Sequence, residues 1–182
     1  MEIQVALWAL AALPTAANAT PSGNIDYLLP FPPGQSHSLV QSFNGPYGHS
    51  GTEAYSYDFQ AEIGSRVTAA RAGTVIHVVE SHPDAVPRHP EPGNENVIVI
   101  DHHDGTYGRY YHLTRDGADV AVGAKVEAGQ AIGRSGNSGA SFMPHLHFDV
   151  TQGCFAFGCQ TVRVRFLEIA DDPLVAKRTY SR

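Results

Sequence analysis

The sequence predicts a mainly β protein, folded as one compact antiparallel β-sheet domain. Three observations support this fold class. Turn residues recur every eight to twelve positions, the segments between them are short and rich in Val, Ile, Tyr and Phe, and no long stretch keeps a helical period of apolar residues. The length of 182 residues suits a single domain, and 42% hydrophobic with 16% charged residues is an ordinary globular composition.

The predicted strands carry the β-branched and aromatic side chains that fit a pleated, half-buried surface. They span residues 55–61, 66–70, 74–79, 96–102, 107–113, 125–126, 131–135, 145–151 and 161–166. Asp104 and Gly105 predict the clearest hairpin turn, because both residues tolerate the positive φ angles that tight turns require. The last ten or so residues are predicted to be frayed.

A long proline-rich surface loop is predicted between residues 80 and 95. Pro83, Pro87, Pro90 and Pro92 lie there among charged residues, and proline cannot donate to a β-ladder. Loops of this length in compact domains are often functional, so the segment either lines a substrate cleft or is a tolerated surface insertion. The sequence leaves both interpretations open.

The first residues have the pattern of a signal peptide. Their apolar run is too short to cross a bilayer comfortably, and Ala17 and Ala19 offer the small residues needed for cleavage after Ala19. Glu2 stands where a positive charge is usual, and the alternative is an N-terminal core helix. The predicted organisation is a signal peptide over residues 1–19 and one domain over residues 20–182, with its core at about 27–170.

The protein is therefore expected to be exported, periplasmic or secreted, and to act as a monomer. Its only cysteines, Cys154 and Cys159, are close in sequence, and an oxidising compartment would close them into a local disulfide loop. A metal-binding pair is the competing interpretation, but it would need further ligands nearby. After the first residues nothing resembles a membrane span, and the net charge of −6 argues against capture of nucleic acid or anionic lipid.

Two predicted strands place polar side chains where catalysis could use them. Successive side chains of a strand point to opposite faces, so His145, His147 and Asp149 share one face and the apolar residues between them share the other. Asp58 likewise projects away from the apolar face of its own strand. A His-x-His pair by itself is more often a solvated face than a catalytic pair.

A third histidine completes a possible metal site. His49 lies in the flexible turn 48–51, nine positions before Asp58. Two histidines and a carboxylate that leave a fourth position free form a usual catalytic zinc set, because zinc prefers tetrahedral nitrogen and oxygen ligands and catalysis needs an open position. Tyr110 and His112 are predicted to share one face of a further strand.

These residues belong to a longer series of motifs. The series is Gly48-His49-Ser50-Gly51, Tyr57-Asp58-Phe59, Gly64-x-x-Val67-x-Ala69-Ala70-x-x-Gly73-x-Val75, Tyr111-His112-Leu113, Gly129-Gln130-x-Ile132-Gly133-x-x-Gly136-x-x-Gly139 and Pro144-His145-Leu146-His147-Phe148. In its order and content it resembles the lysostaphin-type zinc metallopeptidases over residues 27–150. The resemblance implies a barrel-sandwich-like β-domain.

The resemblance also implies a mechanism. His49, Asp58 and His147 would hold one Zn²⁺ ion, His145 would be the general base for the attacking water, and His112 would stabilise the oxyanion of the transition state. The implied reaction is endopeptidase hydrolysis of peptide bonds in bacterial peptidoglycan. The cut could fall in a glycine-rich bridge, in a cross-link through a diamino acid, or in an elastin-like or other glycine-rich protein.

One spacing departs from the commonest family pattern, in which the aspartate follows the first histidine by four positions. Glu53 stands at that distance from His49 and is the alternative ligand to Asp58. Asp149 is a candidate partner that orients His147, with a solvated carboxylate as the alternative. Surface or half-buried positions are expected for His37, His77, His82, His89, His102 and His103.

Two other functions fit parts of the pattern. Some proteins of this fold have lost metal ligands and activate other cell-wall hydrolases, so a non-catalytic, zinc-binding activator is the main alternative. Such proteins usually lack one or more of the histidines kept here. The segment 126–133 also resembles the hairpins of lipoyl and biotinyl carrier domains, yet Lys125 does not lie at the tight turn that a carrier needs.

Overall fold

The structure is a computed structural model that describes residues 26–86, 88–170 and 174–182, and nearly all of its regular structure is β. The strands are β1 (Asp26–Tyr27), β2 (Ser36–Gln41), β3 (Tyr57–Gln60), β4 (Arg66–Thr68), β5 (Gly73–Val79), β6 (Val97–Asp101), β7 (Thr106–Tyr111), β8 (Leu113–Ala118), β9 (Lys125–Val126), β10 (Ala131–Ser135), β11 (His145–Gln152), β12 (Arg165–Phe166) and β13 (Thr179–Ser181). A 3-10 turn covers Gly51–Glu53.

The predicted signal peptide over residues 1–19 lies outside the described residues. Within the part of the chain that is described, no helix is long and apolar enough to span a membrane. The disulfide predicted between Cys154 and Cys159 is present.

The strands form one large antiparallel sheet with a smaller sheet packed against it. The large sheet has eight strands in the order β13-β2-β3-β11-β7-β6-β5-β9, and the smaller has three in the order β4-β10-β8. Gly133 of β10 approaches β6 so closely that a Cβ atom there would lie 3.3 Å from the Ile98 side chain. The predicted β class with antiparallel sheets is confirmed, and the short pair β1 and β12 is parallel.

The hydrophobic core lies on one face of the large sheet, as the strand alternation predicts. Leu146, Phe148 and Val150 of β11 are completely buried, and Tyr57 and Phe59 of β3 pack beside them. Burying one large apolar side chain stabilises a fold by about 1.5–3 kcal/mol, so this face fixes the orientation of both strands. The residues between them must therefore point to the opposite face.

The opposite face carries two rows of side chains that run across the sheet. Residues paired directly between antiparallel strands have Cβ atoms about 4.5–5.5 Å apart, so each row is a line of neighbours. The first row is Gln41, Asp58, His147, Tyr111, Val97 and Val79. The second row is Asp149, Arg109, Val99 and His77. The register thus places Asp58 beside His147 and Arg109 beside Asp149.

The strand predicted over residues 107–113 is interrupted at His112. His112 has a φ of 62°, in the left-handed region, and it separates β7 from β8. The prediction that Tyr110 and His112 share a face is therefore wrong. Tyr110 is buried in the core, where its hydroxyl oxygen accepts a hydrogen bond from the Ala70 amide at 2.7 Å, and the backbone break turns His112 towards the other side.

Two further predictions differ from the structure. The hairpin between β6 and β7 exists, but its positive φ angles belong to His103 and Gly105 rather than to Asp104, whose carboxylate instead accepts a hydrogen bond from the Thr106 amide. The final residues are not frayed, because β13 pairs with β2. Side-chain patterning missed β2 and β13, since both are rich in Ser and Thr and carry few apolar residues.

Hydrogen bonds connect the proline-rich segment between β5 and β6 to residues 137–142 and to Thr114 of β8. The Asp84 carboxylate accepts hydrogen bonds from the Asn137 amide and the Thr114 hydroxyl, both at 2.6 Å. The amide of Glu91 donates to the Gly139 carbonyl at 2.7 Å. The segment therefore lies alongside the residues that lead into β11.

Replacement of Leu146 by alanine should lower the free energy of unfolding by about 2–5 kcal/mol, because it opens a cavity between the two sheets. Denaturant unfolding of the metal-free protein measures this change. Val122 is exposed, and Val122→Ala should change the same quantity by less than about 0.5 kcal/mol. A loss below about 1 kcal/mol for Leu146→Ala would mean that this side chain does not anchor β11.

Candidate metal centre

Three of the predicted site residues converge on one point of the first row. His49 Nε2 lies 3.1 Å and His147 Nδ1 lies 2.9 Å from the same oxygen, Oδ1 of Asp58. One donor atom from each of the three residues lies within 4.8 Å of the others. Two imidazole nitrogens and one carboxylate oxygen are the donor types that zinc prefers in a catalytic site.

The remaining ring nitrogens are held by acceptors, which fixes the direction of both imidazoles. His49 Nδ1 donates to the Ser42 carbonyl at 2.9 Å, and His147 Nε2 donates to Oδ2 of Asp149 at 3.1 Å. These contacts leave Nε2 of His49 and Nδ1 of His147 facing the Asp58 carboxylate. The two nitrogens and the carboxylate oxygen form a donor set that fits a metal ion.

The charges of the site also favour a cation. Burial works to raise the pKa of Asp58, but hydrogen bonds from His147 and His49 outweigh burial and hold that pKa well below its usual range. Burial works to lower the pKa of His147, whereas hydrogen bonds to Asp149 and Asp58 raise it to about 10. In the metal-free protein at neutral pH this ring therefore carries protons on both nitrogens. A metal ion must displace the proton on Nδ1 in order to bind there.

Gln41 supports Asp58 and was not found from the sequence. Its Nε2 donates to Oδ2 of Asp58 at 3.1 Å and to the Tyr47 carbonyl at 2.7 Å, while its Oε1 accepts from the Tyr47 amide at 2.9 Å. Gln41 therefore orients the carboxylate and holds the loop that leads to His49. The signal is its cross-strand pairing with Asp58, which cannot be read without predicting β2.

His145 and His112 lie together at the edge of the same site. His145 Nδ1 donates to the Met143 carbonyl at 2.7 Å, which leaves Nε2 as the lone-pair nitrogen at 3.6 Å from Oδ1 of Asp58. His112 Nδ1 donates to the Ser138 carbonyl at 2.7 Å, and the two rings are 4.6 Å apart between centroids. Both rings can therefore accept a proton through Nε2.

Burial keeps both of these rings neutral. It lowers the pKa of His145, and it lowers the pKa of His112 to about 3 with help from repulsion by the neighbouring histidines. A neutral His112 whose proton is on Nδ1 offers a lone pair to the site. His112 can stabilise an oxyanion only after it has received a proton on Nε2.

The backbone at His112 is strained. Left-handed φ angles are uncommon for residues other than glycine and cost about 1–3 kcal/mol when the surroundings impose them. Here the surroundings are a buried network: the Leu113 carbonyl accepts hydrogen bonds from Asn96 and from Ser138, and Ser138 also binds the His112 ring. The strain turns the imidazole towards His145.

Glu53 is engaged elsewhere. Its carboxylate accepts a hydrogen bond from Nη2 of Arg109 at 2.6 Å, and Arg109 also pairs with Asp149. Glu53, His147 and Asp149 form a second group that could hold a metal ion, but a cation there would meet a buried guanidinium. The geometry therefore favours Asp58 over Glu53 as ligand, and Asp149 is a buried partner of His147 rather than a solvated carboxylate.

The histidines expected outside the site lie away from this cluster. His102 is buried, and its Nδ1 donates to the Ala72 carbonyl at 2.8 Å. Exposed or half-buried positions are found for the other five, His37, His77, His82, His89 and His103.

A groove of about 380 Å³ lies farther along the sheet and begins at Tyr111, the cross-strand neighbour of His147. Tyr111, Val97 and Val99 line its floor, and Phe155 and Phe157 of the disulfide loop line one wall. The first row is thus polar where it carries Asp58 and His147 and apolar where it passes under the groove.

The profile of peptidase family M23 matches residues 52–158, which are 107 of the 182 residues and just over half of the chain. The chain belongs to peptidase family M23. The matched range contains Asp58, His112, His145 and His147, whereas His49 lies three positions before it. The resemblance stated from the sequence is confirmed at the level of this family of zinc metallopeptidases.

Several members of family M23 are similar to the chain. The glycyl-glycine endopeptidase ALE-1 of Staphylococcus capitis is 33% identical over 69% of this chain and 33% of its own length. Lysostaphin of Staphylococcus simulans is 34% identical over 69% of the chain and 24% of its own length. The peptidoglycan DD-endopeptidase ShyA of Vibrio cholerae is 36% identical over 56% of this chain and 20% of its own length. The chain therefore spans a third or less of the length of these relatives.

A solved M23 relative shares the fold. The crystal structure of a zinc-containing peptidase from Vibrio cholerae superposes with a TM-score of 0.52 at 29% identity, covering 72% of this chain and 37% of the other.

The ring tautomers of His145 and His112 should be visible by long-range ¹H–¹⁵N NMR of the metal-free protein. At pH 7.5 both rings should be neutral with the proton on Nδ1, and His112 should stay neutral until the pH approaches 3. A histidine in an unstructured peptide, with a pKa of about 6.5, is the reference. A proton on Nε2, or a titration midpoint above that reference, would contradict the described hydrogen bonds.

Proposed function

We propose that the protein is a zinc-dependent metalloendopeptidase that hydrolyses peptide bonds in bacterial peptidoglycan. The observation that carries this proposal is the convergence of His49 Nε2 and His147 Nδ1 on Oδ1 of Asp58, with the lone-pair nitrogen of His145 3.6 Å from the same atom. One cluster thus combines three metal donors with a proton acceptor. Membership of family M23 supports the same reaction class.

His49, Asp58 and His147 would hold one zinc ion. Bound zinc supplies Lewis acidity, which polarises a carbonyl and brings the pKa of a coordinated water to about 7. The chain's own contribution is to keep the ligands correctly oriented: Ser42 fixes the ring of His49 and Asp149 fixes the ring of His147.

His145 is the general base in this proposal. Its Nε2 takes a proton from the attacking water, while the Met143 carbonyl holds its Nδ1–H and stabilises the resulting imidazolium. The C–N bond of the substrate then breaks, and the leaving amine receives that proton. His112 is placed to share the proton with His145, and in its protonated form it donates to the oxygen of the tetrahedral intermediate.

The substrate class is proposed from the relatives and from the groove. ALE-1 is named as a glycyl-glycine endopeptidase and ShyA as a peptidoglycan DD-endopeptidase. The groove beside Tyr111 has an apolar floor of valines and is open at the surface, so it can accept an extended peptide with small or aliphatic side chains. A glycine-rich bridge of peptidoglycan has this character.

Export is part of the proposal. The disulfide between Cys154 and Cys159 supports an oxidising compartment, where peptidoglycan is also found. We infer that the protein acts in the periplasm or outside the cell, as a monomer, after removal of residues 1–19.

Metal analysis should find one zinc ion per chain in the native protein. Asp58→Ala and His147→Ala should each bring this value close to zero, because two donors hold the ion far more weakly than three. Glu53→Gln is the matched control and should keep one zinc at saturation. If Glu53→Gln loses the zinc and Asp58→Ala keeps it, Glu53 is the carboxylate ligand.

Digestion of purified peptidoglycan, followed by mass spectrometry of the released fragments, tests the reaction. The native protein should release fragments cut at peptide bonds. His145→Ala should keep its zinc while the rate falls by about 10²–10⁴-fold, which is the usual contribution of a general base. Replacement of the exposed His89 by alanine should leave the rate unchanged.

The fragment masses also identify the bond. Cuts between glycines indicate a bridge, and cuts beside a diamino acid indicate a stem cross-link. If the protein binds zinc but releases no fragment from walls of either type, it is not a peptidase of peptidoglycan. The alternative function, a non-catalytic activator of other cell-wall hydrolases, would then apply.

A further inference from the structure

A buried arginine lies beside the metal centre and takes no part in the mechanism above. Arg109 of β7 is completely buried. Its Nε and Nη2 donate to the two oxygens of Asp149 at 2.7 and 2.9 Å, a bidentate pair. Its Nη2 also donates to Glu53 at 2.6 Å, and its Nη1 donates to the Ala156 carbonyl at 2.8 Å. The guanidinium thus joins three separate segments of the chain.

Two of these segments carry the histidine ligands. Asp149 lies two positions after His147 on β11 and accepts its Nε2–H at 3.1 Å. Glu53 ends the 3-10 turn that begins two residues after His49. A shift of the guanidinium would therefore disturb the acceptor of the His147 ring and the turn that follows His49.

The pairing with Arg109 gives Asp149 and Glu53 a different role from that of Asp58. Asp149 and Glu53 lie close enough to His147 to compete for a cation, but both are already paired with the same guanidinium. Asp149 consequently acts as an acceptor that holds the proton on His147 Nε2. This leaves Nδ1 as the nitrogen that faces Asp58 and the metal position.

The third segment is the disulfide loop. Ala156 lies between Cys154 and Cys159, and the Gly158 amide of the same loop donates to the other oxygen of Glu53 at 3.2 Å. The loop thus covers Arg109 on the side away from the core, and its Ala156 carbonyl fixes Nη1 of the guanidinium. Opening the disulfide would release this carbonyl.

We propose that Arg109 is a positioning residue that sets the affinity of the metal centre, and that the Cys154–Cys159 disulfide loop acts on the metal centre through Arg109. This inference rests on the metal site in the proposed function, but it does not depend on the substrate or on catalysis. It predicts that Arg109 and the disulfide, neither of which is a metal ligand, change the zinc affinity through the same set of contacts.

The test measures zinc dissociation constants by competition with a chelator for four variants. Arg109→Lys keeps the charge but loses the planar fork, and it should weaken zinc binding by about tenfold, the lower end of the range for groups that orient metal ligands. The double variant Cys154→Ser, Cys159→Ser should weaken it in the same direction. The two changes combined should weaken binding no more than Arg109→Lys does alone, because both remove the same support.

Arg71→Lys is the matched control. Arg71 also pairs with a carboxylate, Asp104, but at the surface and away from the histidines, so this variant should bind zinc with native affinity. The visible spectrum of the cobalt-substituted protein gives a second readout. It should change in Arg109→Lys and stay native in Arg71→Lys, which a loss of global stability alone would not produce.

If Arg109→Lys does not fold, Asp149→Asn takes its place, since the amide keeps the size of the side chain and loses the charge that binds Arg109. Native zinc affinity in whichever of these variants folds would overturn the inference. Fully additive effects of the disulfide and Arg109 changes would overturn the role of the loop. A native protein that binds zinc but cuts no peptide would refute the proposed activity and leave this inference standing.

Discussion

The antiparallel register between β3 and β11 is the constraint on which the site depends. It sets Asp58 directly opposite His147, and the apolar residues on either side of them fill the core. Because side chains alternate with a period of two, a slip of one residue would bury the ligands and expose Phe148. The core therefore selects the register, and the register brings Asp58 and His147 together.

The sequence predicted the parts of this arrangement that follow from local patterns. The two faces of β11 follow from alternation alone, and the metal and catalytic histidines follow from the family motifs. The row that contains Gln41 could not be predicted, because β2 has no apolar alternation and is held by pairing with β3 and β13. Arg109 was missed for a similar reason: a buried cation is explained only by its partners Asp149 and Glu53, which are distant in sequence.

One wrong prediction lies at the site itself, at His112. A regular strand would have placed Tyr110 and His112 on one face, and the sequence gives no warning of the left-handed residue that ends β7. The hydrogen bonds of Ser138 and Asn96 impose that conformation. Local rules fail here because distant groups stabilise a backbone that the residue would not adopt alone.

The contacts of the centre also join residues that are far apart along the chain. Asp58 and His147 are separated by 89 positions, and the pairing of β2 with β13 joins residues separated by 145. Closing such large loops is slow, since their entropy is lost before their contacts form. We therefore expect the metal centre to form late in folding. A zinc ion would be captured tightly only by a chain whose sheet is already complete, so metal uptake would report the end of folding rather than start it.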